Sequence, residues 1–354
     1  MLYKYPRLRG HKAYRLNRNL LYFFSKLRNV TPASIFSPEL YFDSEFSQFI
    51  NSPRQQTLTG HFNVFFDQYK ILDPNAQKVV VKNFAQAQNI NGILSDINFD
   101  GNSIKKGALP GSIRTPAKDL FDYLYNNTLR SYGKIFSHYT LIFEGLRPNI
   151  CPFCGIEMLN HPNIMKQDYD HMLTLSDYTF CGVNMDNLVP TGVECNRINK
   201  KAIDVKYNGI NKTLFNSAYV NSFDIKISLM GSSPPESIKE INNWVITILP
   251  NNALTIEWER VYNIKQRYID NALNKFYDSW IKEFSDYLFI SDRLPIQEDA
   301  LFKEFANQGN NLKNNPTLSL GNIIKGAAFE FIANHNDPVY RNTIFNYVNS
   351  RFKN

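Results

Sequence analysis

Apolar residues in the last third of the chain recur with the period of an amphipathic helix. Beyond Val261 they are spaced 4, 3, 4 and 4 residues apart, at Ile269, Leu273, Phe276, Trp280 and Phe284. One face of an α-helix collects residues at these intervals. We therefore predict a long helix from Val261 onward, with an apolar stripe typical of a packed core rather than of a binding site. Residues 298–352 predict further helices, broken at 307–316 and at 337–338.

Two shorter segments, residues 223–229 and 244–249, alternate apolar and polar residues. This period of two is typical of half-buried strands. A turn at 250–252 leads to a third predicted strand at 254–258. The C-terminal region, residues 205–354, is thus predicted to combine a small antiparallel sheet with amphipathic helices.

The N-terminal region, residues 1–145, is basic and is predicted to be mostly helical. Its first 30 residues contain eight Lys or Arg and no Asp or Glu. These cations form either an arm that neutralises nucleic-acid phosphates or the solvated face of a helix, and both interpretations stay open. The Asn, Gly and Ser residues over 90–114 predict a long loop. Thr115 followed by Pro116 predicts the start of a helix that continues to Gly145.

The composition is that of a chain with a buried core and a polyanionic partner. Hydrophobic residues make up 43% and aromatic residues 14%, enough to order most of the chain. The net charge of +7 favours a polyanionic partner, such as nucleic acid or an anionic membrane surface. The apolar runs are far shorter than the roughly 18 residues of a membrane span, so we predict a soluble cytoplasmic protein without a membrane partner.

The central region, residues 146–204, contains all four cysteines of the chain. Cys151 and Cys154 form a Cys-x-x-Cys knuckle. Four cysteines in a chain of this length do not indicate a disulfide framework. The knuckle is instead typical of thiolate metal ligands in a reducing compartment.

The same region contains a set of residues suited to phosphodiester hydrolysis. Asp170 directly precedes His171, Asn187 follows His171 by 16 residues, and Asn196 follows Asn187 by 9. A neutral imidazole can deprotonate the attacking water. A divalent cation can stabilise the charge that develops on the phosphate oxygens and on the leaving oxygen.

The order and spacing of these residues resemble the HNH (His-Asn-His) endonuclease superfamily, whose site consists of two short strands and a helix around one divalent cation. The resemblance covers about residues 146–204. It implies an α+β chain in which a ββα-metal nuclease module lies between the two flanking regions. It also implies that His171 is the general base, that Asn187 orients this base through its loop, and that Asp170 and Asn196 bind the metal. Carboxylate and amide oxygens suit Mg²⁺ or Mn²⁺.

The cysteines depart from the family pattern. Zinc-bearing members of the family have two Cys-x-x-Cys pairs, and three of those four positions are matched here by Cys151, Cys154 and Cys195. The fourth position is Gly192. Because a closed structural zinc site needs four ligands, we predict a structural Zn²⁺ whose fourth ligand is Cys181 or His161. A buried cysteine cluster without metal is the alternative.

Three cations follow Asn196, namely Arg197, Lys200 and Lys201. The family usually has a lysine three residues after this asparagine, whereas Asn199 stands there in this chain. On the predicted helix the three cations are candidates for nucleic-acid binding through phosphate contacts. A solvated helix face is the alternative interpretation.

The sequence thus predicts a metal-dependent endonuclease that hydrolyses nucleic acid, with DNA favoured over RNA. A further hypothesis makes it the effector of a bacterial antiviral defence system, controlled by a regulatory protein subunit. The alternative from another functional class is a non-catalytic zinc-knuckle module that binds nucleic acid or protein.

Overall fold

The fold of this chain is α+β, as predicted. The computed structural model describes residues 2–146, 149–165, 168–220, 224–233, 243–315 and 319–350. Within those ranges helices predominate, and the strands form two-stranded antiparallel sheets. No helix in the described part of the chain combines the length and the apolar character needed to cross a bilayer.

The chain divides into two compact units. The N-terminal unit consists of Lys4–Leu146 and Leu159–Asn221. The C-terminal unit consists of Met1–Tyr3, Arg147–Met158 and Ser222–Asn354. This division differs from the three predicted regions because the cysteine knuckle clusters with the C-terminal residues.

The first part of the N-terminal unit is helical, with short connections. Its helices are α1 (Lys12–Lys26), α2 (Pro38–Tyr41), α3 (Ser44–Ile50), α4 (Gln56–Lys70), α5 (Pro74–Ala87), α6 (Ile90–Ser95), α7 (Gly111–Tyr123), α8 (Leu129–Ser131) and α9 (Ile135–Gly145). A π-helical turn, Leu124–Thr128, joins α7 to α8. The mostly helical character predicted for this region is confirmed.

An aromatic core holds these helices together. Phe24 of α1 stacks on Phe84 of α5, with 3.7 Å between the ring centroids. Phe180, which follows the helices in sequence, packs edge-on against both rings at 5.2 and 5.6 Å. Aromatic pairs in such geometries stabilise a core beyond the area that they bury. The core therefore anchors the segment around Phe180.

The basic N-terminal segment belongs to this core. Leu16 and Leu20 of α1 are fully buried, as is Tyr5, whose hydroxyl donates to the carbonyl of Pro190 at 3.0 Å. Lys12 and Arg15 lie on the other face of the helix and pair with Glu45. The structure thus supports the solvated helix face and not the free basic arm.

Two details of the predicted N-terminal helices are wrong. Residues 90–114 are not one long loop, because they include α6 and the first turn of α7. The side chain of Asn89 caps α6 by accepting the Gly92 N–H at 3.1 Å. Helix α7 begins at Gly111, so Pro116 lies inside it and does not start it.

Short strands and a π-helix complete the N-terminal unit. Strand β1 (Tyr169–His171) pairs antiparallel with β2 (Leu188–Pro190), and a π-helix follows at Glu194–Lys200. A small hairpin, β3 (Tyr207–Asn208) with β4 (Asn211–Lys212), comes last.

The C-terminal unit contains the predicted small sheet and helices. Strand β5 (Lys226–Ser228) pairs antiparallel with β6 (Thr247–Leu249), within the predicted segments; residue 223 lies outside the described residues. The helices are α10 (Ala253–Tyr262), α11 (Ile264–Tyr268), α12 (Asn274–Ile290), α13 (Glu298–Asn314), α14 (Asn322–Asn334) and α15 (Pro338–Ser350).

The structure corrects three predictions in this unit. The third strand at 254–258 is part of α10, because Asn252 and Thr255 form a capping box that starts a helix. The long helix beyond Val261 is interrupted at Asn263, which has a left-handed backbone, and at a π-helical turn, Ile269–Leu273. Helix α13 continues through most of the predicted break at 307–316, and residue 316 lies outside the described residues.

Candidate active site

The candidate site is built on two strands and a helix within the N-terminal unit. In the β1–β2 ladder Asp170 lies opposite Val189, and His171 lies opposite Leu188. After β2 the chain enters the π-helix Glu194–Lys200, which carries Asn196. Two antiparallel strands followed by a helix are the order of elements that the resemblance implies.

Asn187 holds the loop between the two strands. Its side chain is fully buried. Its Oδ1 accepts the Leu173 N–H at 2.8 Å, and its Nδ2 donates to the carbonyls of Leu173 and Cys181 at 2.9 and 3.1 Å. An amide side chain offers two donors and an acceptor oxygen, and here each is used. Asn187 therefore ties the residues after His171 to the far end of the same loop.

His171 is held by a backbone carbonyl of the same loop. Its Nε2 lies 2.9 Å from the carbonyl oxygen of Gly182. A carbonyl can only accept, so in the neutral ring Nε2 carries the proton and Nδ1 has the free lone pair. The Tyr125 ring and the imidazole pack in an edge-to-face arrangement, with 4.4 Å between their centroids.

The electrostatic surroundings keep His171 neutral. Burial lowers its pKa to about 4; the ammonium of Lys200 also lowers it, whereas the Gly182 carbonyl and the Asp122 carboxylate act in the opposite direction. The imidazole is consequently unprotonated at neutral pH. The Gly182 carbonyl holds the ring at Nε2, and the other ring nitrogen, Nδ1, can accept a proton.

Asp170 forms a buried ion pair. Lys200 Nζ donates to Asp170 Oδ1 at 2.8 Å and to the His171 carbonyl at 2.6 Å. The side chains of both ion-pair partners are almost completely buried. A buried charge requires a partner of opposite sign, and Lys200 supplies it while linking the π-helix to β1.

The three cations predicted to bind nucleic acid occupy different environments. Lys200 is buried, which places it away from a phosphate at the surface. Arg197 is exposed, but its Nε donates to Asp168 Oδ2 at 2.6 Å. Lys201 is exposed at the end of the helix and forms no ion pair with any described residue. Lys201 thus fits the predicted role best.

A potential metal site lies at the cysteine knuckle of the C-terminal unit. Cys151, Cys154 and Glu157 each offer a ligand atom, and these atoms lie within 4.8 Å of one another. The knuckle is closed by a hydrogen bond from the Cys151 N–H to the Glu157 carbonyl at 2.8 Å and by a left-handed turn at Gly155. Both cysteines are fully buried. This group could hold a metal ion.

The other predicted zinc ligands lie in the N-terminal unit. Cys195 is fully buried near the start of the π-helix. The Cys181 thiol donates to the Ala87 carbonyl at 3.4 Å, and burial raises its pKa well above the usual range, which keeps it protonated. His161 is exposed, and its Nδ1 accepts the Asn163 N–H at 3.2 Å.

The structure adds three residues that the sequence analysis did not select. Gly182 binds the imidazole through its carbonyl, which no side-chain pattern reveals. Tyr125 comes from a helix far from the motif in sequence. Glu157 could have been found, since it follows Cys154 by three residues in the same knuckle.

Comparison of the chain with protein-family models, with curated proteins and with solved structures gave no match. The assignment of a function therefore depends on the residues and contacts described above.

Proposed function

We propose that this protein is a metal-dependent endonuclease of the HNH type that hydrolyses phosphodiester bonds of nucleic acid, with DNA preferred over RNA. The observation that carries the proposal is the protonation state and the fixed position of the His171 imidazole. It is neutral, it is fixed by Gly182, and it directly follows Asp170 in a hairpin whose loop is closed by Asn187.

In this mechanism Nδ1 of His171 accepts the proton of the attacking water, because Nε2 is engaged by the Gly182 carbonyl. Asn187 keeps that carbonyl in place by bonding to its neighbour Cys181. Tyr125 limits the rotation of the imidazole by packing against it. A divalent cation, when bound, stabilises the charge on the phosphate oxygens.

Asp170 and Asn196 are the residues proposed to hold that cation. Their carboxylate and amide oxygens are the hard donors that Mg²⁺ or Mn²⁺ prefers. The fit has one constraint, since Oδ1 of Asp170 is bonded to the Lys200 ammonium. The cation therefore has to share this carboxylate with Lys200 or replace the ammonium.

A plasmid-nicking assay with and without Mg²⁺ tests the proposal. We expect Mg²⁺-dependent nicking that His171→Ala reduces by about 10²- to 10⁴-fold, the contribution of a positioned general base. His335→Ala, at a histidine in the C-terminal unit, is the matched control and should retain activity. Wild-type cleavage rates in a folded His171→Ala protein would contradict the mechanism. A wild type that binds nucleic acid without cutting it would favour the zinc-knuckle binding module.

We also propose that the knuckle holds a structural Zn²⁺. Two thiolates are the soft ligands that zinc accepts, and Glu157 can supply an oxygen. Elemental analysis should find zinc in the wild type and in Cys181→Ser, but not in Cys154→Ser, whose melting temperature should fall. Zinc-free wild-type protein would exclude this role.

The role as an effector of a bacterial defence system stays a prediction. Co-purification with a regulatory subunit from the native host would test it.

A further inference from the structure

A cleft of about 720 Å³ opens in the N-terminal unit, lined by Gln55 and by residues of the segment 123–137. The end of α7, the π-helical turn, α8 and the start of α9 all contribute to its lining. The residues that matter here are Tyr123, Asn127, Arg130, Lys134, Phe136 and Ser137. Its volume is in the range of sites that accept ligands of nucleotide size.

Two positive charges in this cleft are not neutralised by the protein. Arg130 and Lys134 are exposed, and neither forms an ion pair with any residue in the described ranges. By contrast, Lys12, Arg15 and Arg197 are exposed or half-buried cations that pair with acids. Uncompensated cations in a concave surface attract anions, because low-dielectric walls focus their field.

An aromatic platform lies beside these charges. Phe136 is 38% exposed. The Arg130 guanidinium lies 5.2 Å from its centroid, and the ring of Tyr123 also lines the cleft. Aromatic rings next to cations bind single-stranded nucleic acid, because bases stack on the rings while the cations contact the phosphates.

The backbone holds Lys134 and Phe136 in place. Lys134 has a left-handed conformation with φ of 55°, and α9 begins at the next residue. A Cβ at the preceding Gly133 would lie 2.7 Å from the Leu129 carbonyl, so only glycine allows this close turn. The cationic side chain and the ring therefore extend from a rigid helix start.

The cleft and the candidate general base share one turn of helix. The π-helical turn Leu124–Thr128 places Asn127 in the cleft lining and Tyr125 against the imidazole of His171. Turns of this kind are frequent at functional sites, since the extra residue redirects the side chains around it. A strand bound in the cleft thus lies against the same turn that contacts His171.

We propose that this cleft binds a single strand of the nucleic-acid substrate, with phosphates at Arg130 and Lys134 and a base on Phe136. The inference rests on the proposed nuclease function and adds the substrate form, an unpaired strand, to it. A duplex cannot stack a paired base on Phe136 unless that base leaves its own stack.

Binding of a fluorescent oligothymidine to the full chain tests the inference, with His171→Ala as background to prevent cleavage. The double substitution Arg130→Gln with Lys134→Gln should remove two phosphate contacts. On a plot of the logarithm of the dissociation constant against the logarithm of salt concentration, we expect the slope to fall by about 1.4, which is about 0.7 for each contact with a single strand. Phe136→Ala should weaken binding at least about fivefold at every salt concentration and leave the slope unchanged. Lys78→Gln with Lys82→Gln removes two exposed charges from α5 of the same unit and is the matched control.

The possible outcomes separate this inference from the proposed function. If the wild type cleaves DNA and the cleft variants bind oligothymidine like the control, the cleft inference is wrong and the nuclease proposal stands. If Phe136→Ala weakened the binding of duplex and of single-stranded DNA equally, the cleft inference would also be wrong. If the wild type neither binds nor cuts nucleic acid, the proposed function itself fails. Circular dichroism of each variant confirms that it is folded.

Discussion

At the scale of single residues, Asn187 contributes to stability mainly by hydrogen bonding to buried backbone groups. Without its side chain, some of these groups would be buried without a hydrogen-bond partner. Replacing it by Ala would remove the partner of the Leu173 N–H and of the Leu173 carbonyl, and one of the two hydrogen bonds to the Cys181 carbonyl, which also accepts the Asn184 N–H at 3.2 Å. We expect Asn187→Ala to lower the free energy of unfolding by about 2 to 4 kcal/mol, measured by urea denaturation.

Asn75→Ala is the control for this prediction, because Asn75 is exposed in α5 and should change stability by no more than about 0.5 kcal/mol. Equal effects of the two substitutions would show that the Asn187 hydrogen bonds do not stabilise the loop. Loss of cleavage in a still-folded Asn187→Ala protein would support its proposed orienting role.

His138 provides a pH-dependent contribution to stability. It is fully buried, its Nδ1 lies 2.7 Å from the Tyr169 hydroxyl, and the rings of His11 and Tyr14 contact it. Burial, followed by the neighbouring His11, lowers the pKa of His138 to about 3. The unfolded chain binds this proton near pH 6.5, so folding is favoured above that pH.

We therefore expect the free energy of unfolding to fall as the pH decreases from about 6.5 towards 3. His138→Gln removes this titration and should make the decrease shallower, as measured by urea unfolding over a pH series. His11 is the other histidine in this contact, and burial lowers its pKa as well, so His11→Gln serves as a second arm. An unchanged pH dependence in His138→Gln would refute this assignment.

At the scale of elements, α13 and α14 approach so closely that their facing positions require glycine. A Cβ at Gly309 would lie 3.0 Å from the Gly326 carbonyl and 3.1 Å from the Glu330 nitrogen. Because both neighbours are backbone atoms, Gly309→Ala must separate the helices. We expect it to lower stability by about 1 to 3 kcal/mol, measured by thermal unfolding.

Gly60→Ala is the matched control for the helix pair. Gly60 lies within α4, and a Cβ there meets no atom within 4 Å. It should stabilise the protein by about 0.5 to 1 kcal/mol, since alanine is the better helix former. A gain in stability from Gly309→Ala as well would mean that the two helices are not in close contact.

At the scale of the whole molecule, the basic N-terminus is a structural part of the protein. Residues 1–18 contain six Lys or Arg, but they also contain Tyr5 and Leu16, both fully buried. Deleting them should prevent stable folding, with loss of the cooperative thermal transition, rather than only weaken nucleic-acid binding. Arg9→Gln with Arg18→Gln removes exposed charge from this segment and should leave the transition intact. A truncated protein with the wild-type melting temperature would contradict this prediction.

The sequence by itself determined the features that depend on local patterns. Each segment has its own spacing of apolar residues, and this spacing predicts its secondary structure. It predicted the helical N-terminal region, the paired strands β5 and β6 and the overall α+β class. Local patterns were misleading where end effects competed with them, as at Asn252, whose side chain starts a helix in a segment that alternates like a strand. The Asp170-His171 pair and the two asparagines could likewise be selected from their order along the chain.

Only the tertiary structure decided which partner each polar group meets. Lys200 and Lys201 are adjacent, yet packing buries the first against Asp170 and leaves the second at the surface. Three further features depend on tertiary packing in the same way. They are the hydrogen bond between His171 and the Gly182 carbonyl, the contact of Tyr125 with the imidazole, and the position of Phe136 in a cleft. Burial and charge pairing are set by segments distant in sequence, and no local pattern specifies which of those segments will meet.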